Sequence, residues 1–256
     1  MKVRILGCGT SSGVPRIGND WGACDPAEPK NRRTRASVLV ETATTRILVD
    51  TGPDMREQLL TAGVDRIDAV IWTHDHADHT HGIDDLRQIY HAMRAPVRGL
   101  ARPTTAVILR DRFAYVFEGM DGYPPTVALE ELPDRLTIGD IDLTVVDQPH
   151  ANITSAGLRF EAGDGSIGYA TDFNVMTEDM RTLYQGLDVW IVDVLRRHPH
   201  PSHPHLDQAL PWIAELAPKR AALTHLDQSM DYRSLLDELP PGVEPGYDGL
   251  EFEVGR

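Results

Sequence analysis

Short apolar runs and stretches with helical spacing alternate along most of the chain. Two β-branched runs, 37–41 and 46–50, predict strands that a turn at Thr44 and Thr45 would join as a hairpin. The pattern predicts further strands at 2–6, 68–73, 188–194 and 220–224, and two more hairpins, 135–146 and 157–171. Helical spacing predicts helices at 53–62, 84–94, 103–113, 176–184, 206–216 and 231–238.

The order of these elements favours an α/β fold. Strands dominate the first part, strand–helix units dominate the second, and no change in composition separates them. We therefore expect a single domain over 1–256, with two β-sheets and helices on the outside. Residues 14–35 contain three prolines and two glycines and show no regular pattern, which predicts a long, ordered surface loop.

Composition narrows the class of protein further. The 256 residues include 25 basic and 39 acidic side chains, for a net charge of −14. An acidic chain of this kind is unlike a general nucleic-acid coat, so a long nucleic acid is not the expected partner. No run of 18 apolar residues and no hydrophobic leader is visible, and there are only two cysteines. We expect no membrane association and a location in the reducing cytoplasm.

The 11 histidines are concentrated in two places. Four lie in 74–81 and four in 198–205. The first cluster, Thr73-His-Asp-His-Ala-Asp-His79, begins where the predicted strand 68–73 ends. Imidazole and carboxylate are suitable ligands for Zn²⁺ and related ions. Two histidines plus an Asp-His pair exceed what one ion with an open position needs, so the spacing indicates two adjacent metal ions.

The run His-x-His-x-Asp-His after an apolar strand resembles the signature of the metallo-β-lactamase family. Membership implies an αββα four-layer sandwich, in which two mixed β-sheets carry helices on both outer faces. It also implies later ligands, and three candidates follow predicted strands in the family's order: His150, Asp172 and His225. Asp50, in Leu-Val-Asp50-Thr-Gly, resembles the early aspartate of the family that orients the metal ligands.

The resemblance also implies how the ligands are shared between two divalent ions, Zn²⁺ or Mn²⁺ with Fe²⁺ as a third option. One ion would be held by His74, His76 and His150, the other by Asp78, His79 and His225, and Asp172 would bridge them. Asp78 thereby counts among the catalytic residues as well. A hydroxide between the ions would attack the substrate, because two cations lower the pKa of bound water.

Two further segments are similar to the phosphodiesterase branch, which includes the phosphoribosyl cyclic phosphodiesterases and the tRNA 3′-end nucleases. One is Leu6-Gly-Cys-Gly-Thr-Ser-Ser-Gly-Val-Pro15, in which Ser11 and Ser12 could approach a phosphate. The other runs from Asp193 through Leu195-Arg196 to His203-Pro-His205. In that alignment His203 matches the catalytic histidine, His205 is the second choice, and Arg196 is a candidate phosphate contact.

The basic run at 30–35 leaves two interpretations open, namely steering of a phosphate substrate or structural ion pairs. The loop around Cys24 lacks the other cysteines that hold a structural zinc in the phosphoribosyl enzymes, so we expect no such zinc here. The predicted function is hydrolysis of a small cyclic or nucleotide-type phosphodiester. The alternatives are a tRNA 3′-end nuclease and a non-hydrolytic metal-binding relative, such as a protein of cofactor biosynthesis. The expected partners are the small phosphate ester and, as one possibility, a second copy of the chain.

Overall fold

Two seven-stranded β-sheets pack face to face in the computed structural model, which describes residues 1–255. In the first sheet the strands lie in the order β14-β1-β2-β3-β4-β5-β6, with β1 Lys2–Gly7, β2 Ser37–Glu41, β3 Arg46–Val49, β4 Ala69–Trp72, β5 Val97–Ala101, β6 Val127–Glu131 and β14 Glu251–Glu253. In the second the order is β13-β12-β11-β10-β9-β8-β7, with β7 Arg135–Ile138, β8 Ile141–His150, β9 Ile153–Ala162, β10 Gly165–Ala170, β11 Val189–Asp193, β12 Arg220–Thr224 and β13 Val243–Pro245.

Helices cover the outer faces of both sheets. Those of the first half are α1 Met55–Ala62, α2 Ala77–Thr80, α3 Leu86–Met93, α4 Pro103–Arg112 and α5 Ala114–Glu118, and those of the second half are α6 Glu178–Tyr184, α7 Leu206–Leu216 and α8 Tyr232–Glu238. Short 3₁₀ turns occupy Pro29–Asn31 and Ile83–Asp85. Each sheet pairs strands in both directions. The predicted four-layer αββα sandwich with two mixed sheets is therefore confirmed. Within residues 1–255, no helix combines the length and the apolarity that crossing a membrane requires.

Three apolar layers hold these elements together. The central layer lies between the sheets and contains β-branched side chains such as Val3 and Val38 from the first sheet, facing Leu143 and Leu158 from the second. One outer layer joins α1, α3, α4 and α5 to the first sheet, and the other joins α6, α7 and α8 to the second. Burial of apolar surface in three layers is the main stabilising contribution to the fold.

Most predicted elements are present, with boundaries shifted by a few residues. The hairpin of β2 and β3 pairs antiparallel, as predicted. The helix predicted over 103–113 is α4, which ends at Arg112, and the pattern missed the short helices α2 and α5. It also missed the strands β5, β6, β13 and β14. β5 was hidden by its central Gly99, which lies under the ring of Trp72, where an added Cβ would be 2.7 Å from a ring carbon. The other three missed strands lie at sheet edges or are very short, so their formation depends more on pairing with one neighbouring strand than on their own sequence.

The long loop 14–35 is held against the segment that follows β12. Arg33 is buried and donates hydrogen bonds to the carbonyl oxygens of Met230 (2.6 Å) and Asp227 (3.2 Å). Lys30 donates to the Tyr232 hydroxyl at 2.9 Å and lies over that ring. Of the two interpretations of the basic run, these contacts favour the structural one.

Candidate metal centre

Seven histidine and aspartate side chains converge at one end of the strands. The first group consists of His74, His76 and His150 together with Asp172, and the second of Asp78, His79 and His225. Within each group the potential ligand atoms lie within 4.8 Å of one another. The structure thus brings together all seven residues for which the sequence predicts metal binding.

Asp172 lies between the two groups and faces both. Its Oδ1 is 3.7 Å from His74 Nε2 and 3.5 Å from His150 Nε2. Its Oδ2 is 3.2 Å from His79 Nε2 and 3.7 Å from His225 Nε2. One carboxylate can therefore serve two neighbouring cations, one through each oxygen.

Strand ends place these side chains. β4 ends at Trp72, just before the His74 cluster, and β12 ends at Thr224, just before His225. Asp50, Asp172 and His225 have φ values of 66°, 55° and 59°, in the left-handed region that residues other than glycine seldom adopt. Such backbone costs about 1–3 kcal/mol per residue and persists where the surroundings fix it, which is common at functional sites.

Hydrogen bonds to the Nδ1 atoms orient three of the imidazoles. His79 Nδ1 lies 2.7 Å from Asp50 Oδ2, and His150 Nδ1 lies 3.0 Å from the carbonyl oxygen of Ser202. His74 Nδ1 lies 3.1 Å from the hydroxyl of Thr73. A carboxylate and a carbonyl can only accept, so Nδ1 of His79 and His150 carries a proton and Nε2 is the nitrogen that faces the other ligands. This is the arrangement found around metal-ligating histidines.

Asp50 connects this network to the strand before the cluster. It is fully buried, and its Oδ1 accepts the backbone N–H of Thr73 at 2.8 Å. Gly52 lets the chain pass directly behind the second group, because an added Cβ would lie 2.2 Å from the carbonyl oxygen of Asp78. The structure thus places Asp50 where the resemblance assigns it, behind the ligands rather than among them.

Buried polar atoms without hydrogen-bond partners indicate that the site is built for metal ions. Nε2 of His74, of His79 and of His225 are buried and have no hydrogen-bond partner among the described residues. Burying an unpaired imidazole nitrogen is costly, and three of them aimed at one carboxylate indicate that a cation belongs between them. The donors are imidazole nitrogens and carboxylate oxygens, which suit Zn²⁺, Mn²⁺ and Fe²⁺.

Without metal, the two groups differ in charge. Burial lowers the pKa of His74 well below its usual range, and burial also lowers the pKa of His150. Burial acts the same way on His225, but the carboxylates around it outweigh this effect and raise its pKa to about 9. His79 behaves alike, since nearby carboxylates raise its pKa despite burial. His74 and His150 are therefore neutral, whereas His79 and His225 hold protons that a metal ion must displace.

His203 lies next to the Asp172 carboxylate. Its ring stacks on His225, with centroids 4.7 Å apart and planes at 12°, and its Nε2 is 3.9 Å from Asp172 Oδ1. Its Nδ1 is 2.7 Å from Oδ2 of Asp193, which also accepts the backbone N–H of Asp172 at 2.9 Å. This buried aspartate was not among the predicted site residues. Its position at the C-terminal end of β11, level with the other ligand-bearing strand ends, is the signal that could have found it.

The other predicted residues lie outside this cluster. His205 precedes α7, and among the described residues its side chain has no hydrogen bond or ring contact. Arg196 donates to the carbonyl oxygens of His198 (3.1 Å) and Pro199 (2.7 Å), so it braces its own loop. Ser11 and Ser12 are exposed in the turn after β1. Among the described residues, no hydrogen bond, ion pair or ring contact joins any of these four side chains to the seven residues above.

Comparison with known proteins agrees with this geometry. Residues 45–226 match the model of the β-lactamase superfamily domain. A solved structure of a new diphosphatase from the PhnP family is 33% identical with a TM-score of 0.90, and the match covers 98% of this chain and 96% of that one. A ribonuclease Z of Bradyrhizobium diazoefficiens is 43% identical, but over only 60 residues, which are 23% of this chain and 20% of that protein.

A further relative is a longer protein. The chain is 34% identical to an octanoyltransferase of Porphyromonas gingivalis over 98% of its own length, but it spans only 51% of that protein. The chain thus covers about half of this relative. The superfamily match and the diphosphatase likeness over nearly the full length agree with the metal-ligand geometry. The chain belongs to the β-lactamase superfamily and is a PhnP-like member of its metal-dependent hydrolases.

Proposed function

We propose that this chain is a phosphodiesterase that uses two divalent metal ions to hydrolyse a small cyclic or nucleotide-type phosphodiester. The observation that carries the proposal is Asp172, whose two oxygens face separate groups of ligands. The likeness to a diphosphatase supports a phosphate substrate over other hydrolysable groups.

In this proposal the residues of the site have two roles, metal binding and proton donation. His74, His76 and His150 hold one ion, Asp78, His79 and His225 hold the other, and Asp172 belongs to both. Two bound ions supply Lewis acidity that activates water and neutralises the charge of the phosphate. His203, which Asp193 orients through Nδ1, presents Nε2 to the leaving alkoxide and donates a proton to it.

Charge favours a small substrate. The chain carries a net charge of −14, which repels long nucleic acids at a distance. Two divalent ions would make the centre itself locally positive, so a small anion meets a favourable site in an acidic surface. A tRNA 3′-end nuclease is less well supported, because Lys30 and Arg33 of the basic run are engaged in contacts within the chain.

Acyl hydrolysis is a second candidate. It is favoured by one observation, the 34% identity to half of a protein named octanoyltransferase. A metal centre that polarises a phosphoryl oxygen can also polarise a carbonyl oxygen. An octanoyl thioester or ester is the substrate that this candidate predicts.

The test is a substrate screen on protein freed of metal and reloaded with Mn²⁺ or Zn²⁺. We expect two ions per chain by elemental analysis and turnover of bis-p-nitrophenyl phosphate and nucleoside 2′,3′-cyclic phosphates. Fewer than two ions would favour the non-hydrolytic relative, faster turnover of an octanoyl thioester the second candidate, and a salt-dependent tRNA gel shift the nuclease.

His203→Ala, with His205→Ala as the matched control two residues away, tests the proton donor. His203→Ala should retain both ions and lose roughly 10²-fold in turnover, the usual contribution of a general acid. His205→Ala should behave like the unaltered protein. Unchanged turnover in His203→Ala would remove this histidine from the mechanism. As further parts of the proposal, the protein acts in the cytoplasm and forms a homodimer, which light scattering tests.

A further inference from the structure

A cleft of about 480 Å³ adjoins the metal centre on the side of His76. His76 is the exposed member of the first ligand group, whereas His74, His150 and Asp172 are buried. The lining residues are Asp75, His76, Ala77, His81, Arg112 and Phe113. The volume lies within the usual range for small-molecule sites. A ligand in this cleft would therefore touch a metal-binding side chain and extend away from the centre.

Two rings that touch each other form part of the cleft wall. His81 is exposed and meets Phe113 edge to face, with ring centroids 5.6 Å apart and planes at 83°. Among the described residues, the His81 ring has no other ring contact and no hydrogen bond. Phe113 is half-buried and packs against the outer apolar layer of the first sheet. An exposed pair of rings beside a polar centre is a surface on which a planar ring can stack.

Backbone hydrogen bonds hold the two residues that carry these rings. The N–H of His81 donates to the carbonyl oxygen of Ala77 at 3.0 Å, and that of Phe113 donates to the carbonyl oxygen of Leu109 at 2.9 Å. The next residue, Gly82, packs closely on Gly52, because an added Cβ would lie 2.1 Å from the Gly52 carbonyl oxygen. The backbone beneath the rings is therefore preorganised, which reduces the entropy lost on binding.

Charge in the cleft is balanced. Asp75 stands between two metal-binding histidines and would repel a phosphodiester if it were unpaired. Arg112 neutralises it: its Nη2 donates to Asp75 Oδ2 at 2.9 Å, and its Nη1 donates to the Asp75 carbonyl oxygen. A phosphate at the centre and an uncharged ring in the cleft can thus be bound together.

We propose that this cleft binds the planar ring of the substrate, and that the preferred substrate is a nucleotide rather than a plain sugar phosphate. The nucleobase would lie against Phe113 and His81 while the phosphodiester lies at the metal centre. This inference rests on the proposed function, because it names the organic part of the same substrate.

Binding measurements test it without turnover. On the metal-loaded protein, AMP and glycerol 1-phosphate share the phosphomonoester and differ in the base, so calorimetry should give the tighter Kd for AMP. Phe113→Leu keeps apolar volume but removes the ring, and should raise the Kd of AMP about tenfold, within the range that base–aromatic stacking contributes. The Kd of glycerol 1-phosphate should stay unchanged. Tyr123→Ala removes an exposed ring that does not line the cleft, and should alter neither.

Turnover supplies a second comparison, adenosine 2′,3′-cyclic phosphate against glycerol 1,2-cyclic phosphate. Phe113→Leu and His81→Ala should raise KM for the adenosine compound alone. Equal Kd values for the two monophosphates, or equal losses for both in Phe113→Leu, would overturn the cleft proposal. If neither diester is hydrolysed the proposed function fails, and the AMP measurement still decides whether the cleft binds a base.

Discussion

Asp193 offers the sharpest test of how His203, the proposed proton donor, is oriented. It is fully buried, and its Oδ2 accepts from His203 Nδ1 at 2.7 Å and from the backbone N–H of Asp172 at 2.9 Å. Asp193→Asn can keep both hydrogen bonds on its single carbonyl oxygen, while its amide NH2 takes the place of Oδ1, which lies 4.0 Å from His225 Nδ1. The variant therefore removes the negative charge with little change in side-chain volume.

The expected loss follows from the strength of that hydrogen bond. A hydrogen bond to a charged acceptor contributes about 1.5–3 kcal/mol, whereas a neutral one contributes about 1 kcal/mol. Removing the charge should weaken the hydrogen bond that orients His203 by about 1.5 kcal/mol, which corresponds to about tenfold in kcat.

The assay measures kcat and KM on bis-p-nitrophenyl phosphate across pH, with metal content and thermal stability measured in parallel. Asp188→Asn is the matched control, because Asp188 precedes the other end of β11 and pairs with Lys219, outside the metal centre. An Asp193→Asn protein with two ions and an unchanged kcat would refute the role assigned to the carboxylate. A loss of metal in that variant would instead make Asp193 part of the ligand support.

Three further predictions concern the metals themselves. Asp172→Ala removes the carboxylate that faces both groups, so elemental analysis should find one ion or fewer, and retention of two would contradict bridging. Asp50→Asn would place an amide N–H against either His79 Nδ1–H or the Thr73 N–H, so a chelator competition should show 10- to 100-fold weaker metal binding. Near pH 7.5, metal-free His225 holds a proton because its pKa is about 9, so metal loading should release protons, which calorimetry in buffers of different ionisation enthalpy detects. By the same linkage, protonated His225 stabilises the folded, chelated protein. This stabilisation is complete below the unfolded-state pKa of His225, about 6.5, and disappears as pH rises through its folded-state pKa of about 9. Melting temperatures of chelated protein that do not fall over this range would contradict that assignment.

Local pattern was enough for most of the fold because the core strands carry their own signal. β12 is buried over four of its five residues and was predicted with the bounds it has, 220–224. β6 has the opposite character, since only Val127 of its five residues is buried and two are glutamates. It is a strand because β5 lies beside it, and no local pattern shows that neighbour.

The proposed metal ligands could be predicted from the sequence for a related reason. His74, His76, Asp78 and His79 are close in the chain, and Asp172 and His225 each follow a strand with a clear apolar run. Pairs of side chains that meet across the fold were not visible. His203 and Asp193 are ten residues apart, and His81 meets Phe113 from a different helix. His203 and His205 show where prediction from sequence stops, because both fit the catalytic-histidine motif. Only the fold distinguishes them: the His203 ring stacks on His225, whereas the His205 side chain has no hydrogen bond or ring contact among the described residues.

The left-handed residues connect these two observations. Asp50, Asp172 and His225 stand where the chain leaves a strand and turns, a conformation that glycine or asparagine would adopt at lower cost. Glycine there would relax the backbone but remove the carboxylate or the imidazole on which the centre depends. The strain is therefore evidence that the side chains, rather than the turns, determine these positions. Replacing any of the three by glycine should ease the backbone and lose metal, whereas at Ala217, which is left-handed at the end of α7 and away from the centre, glycine should only stabilise.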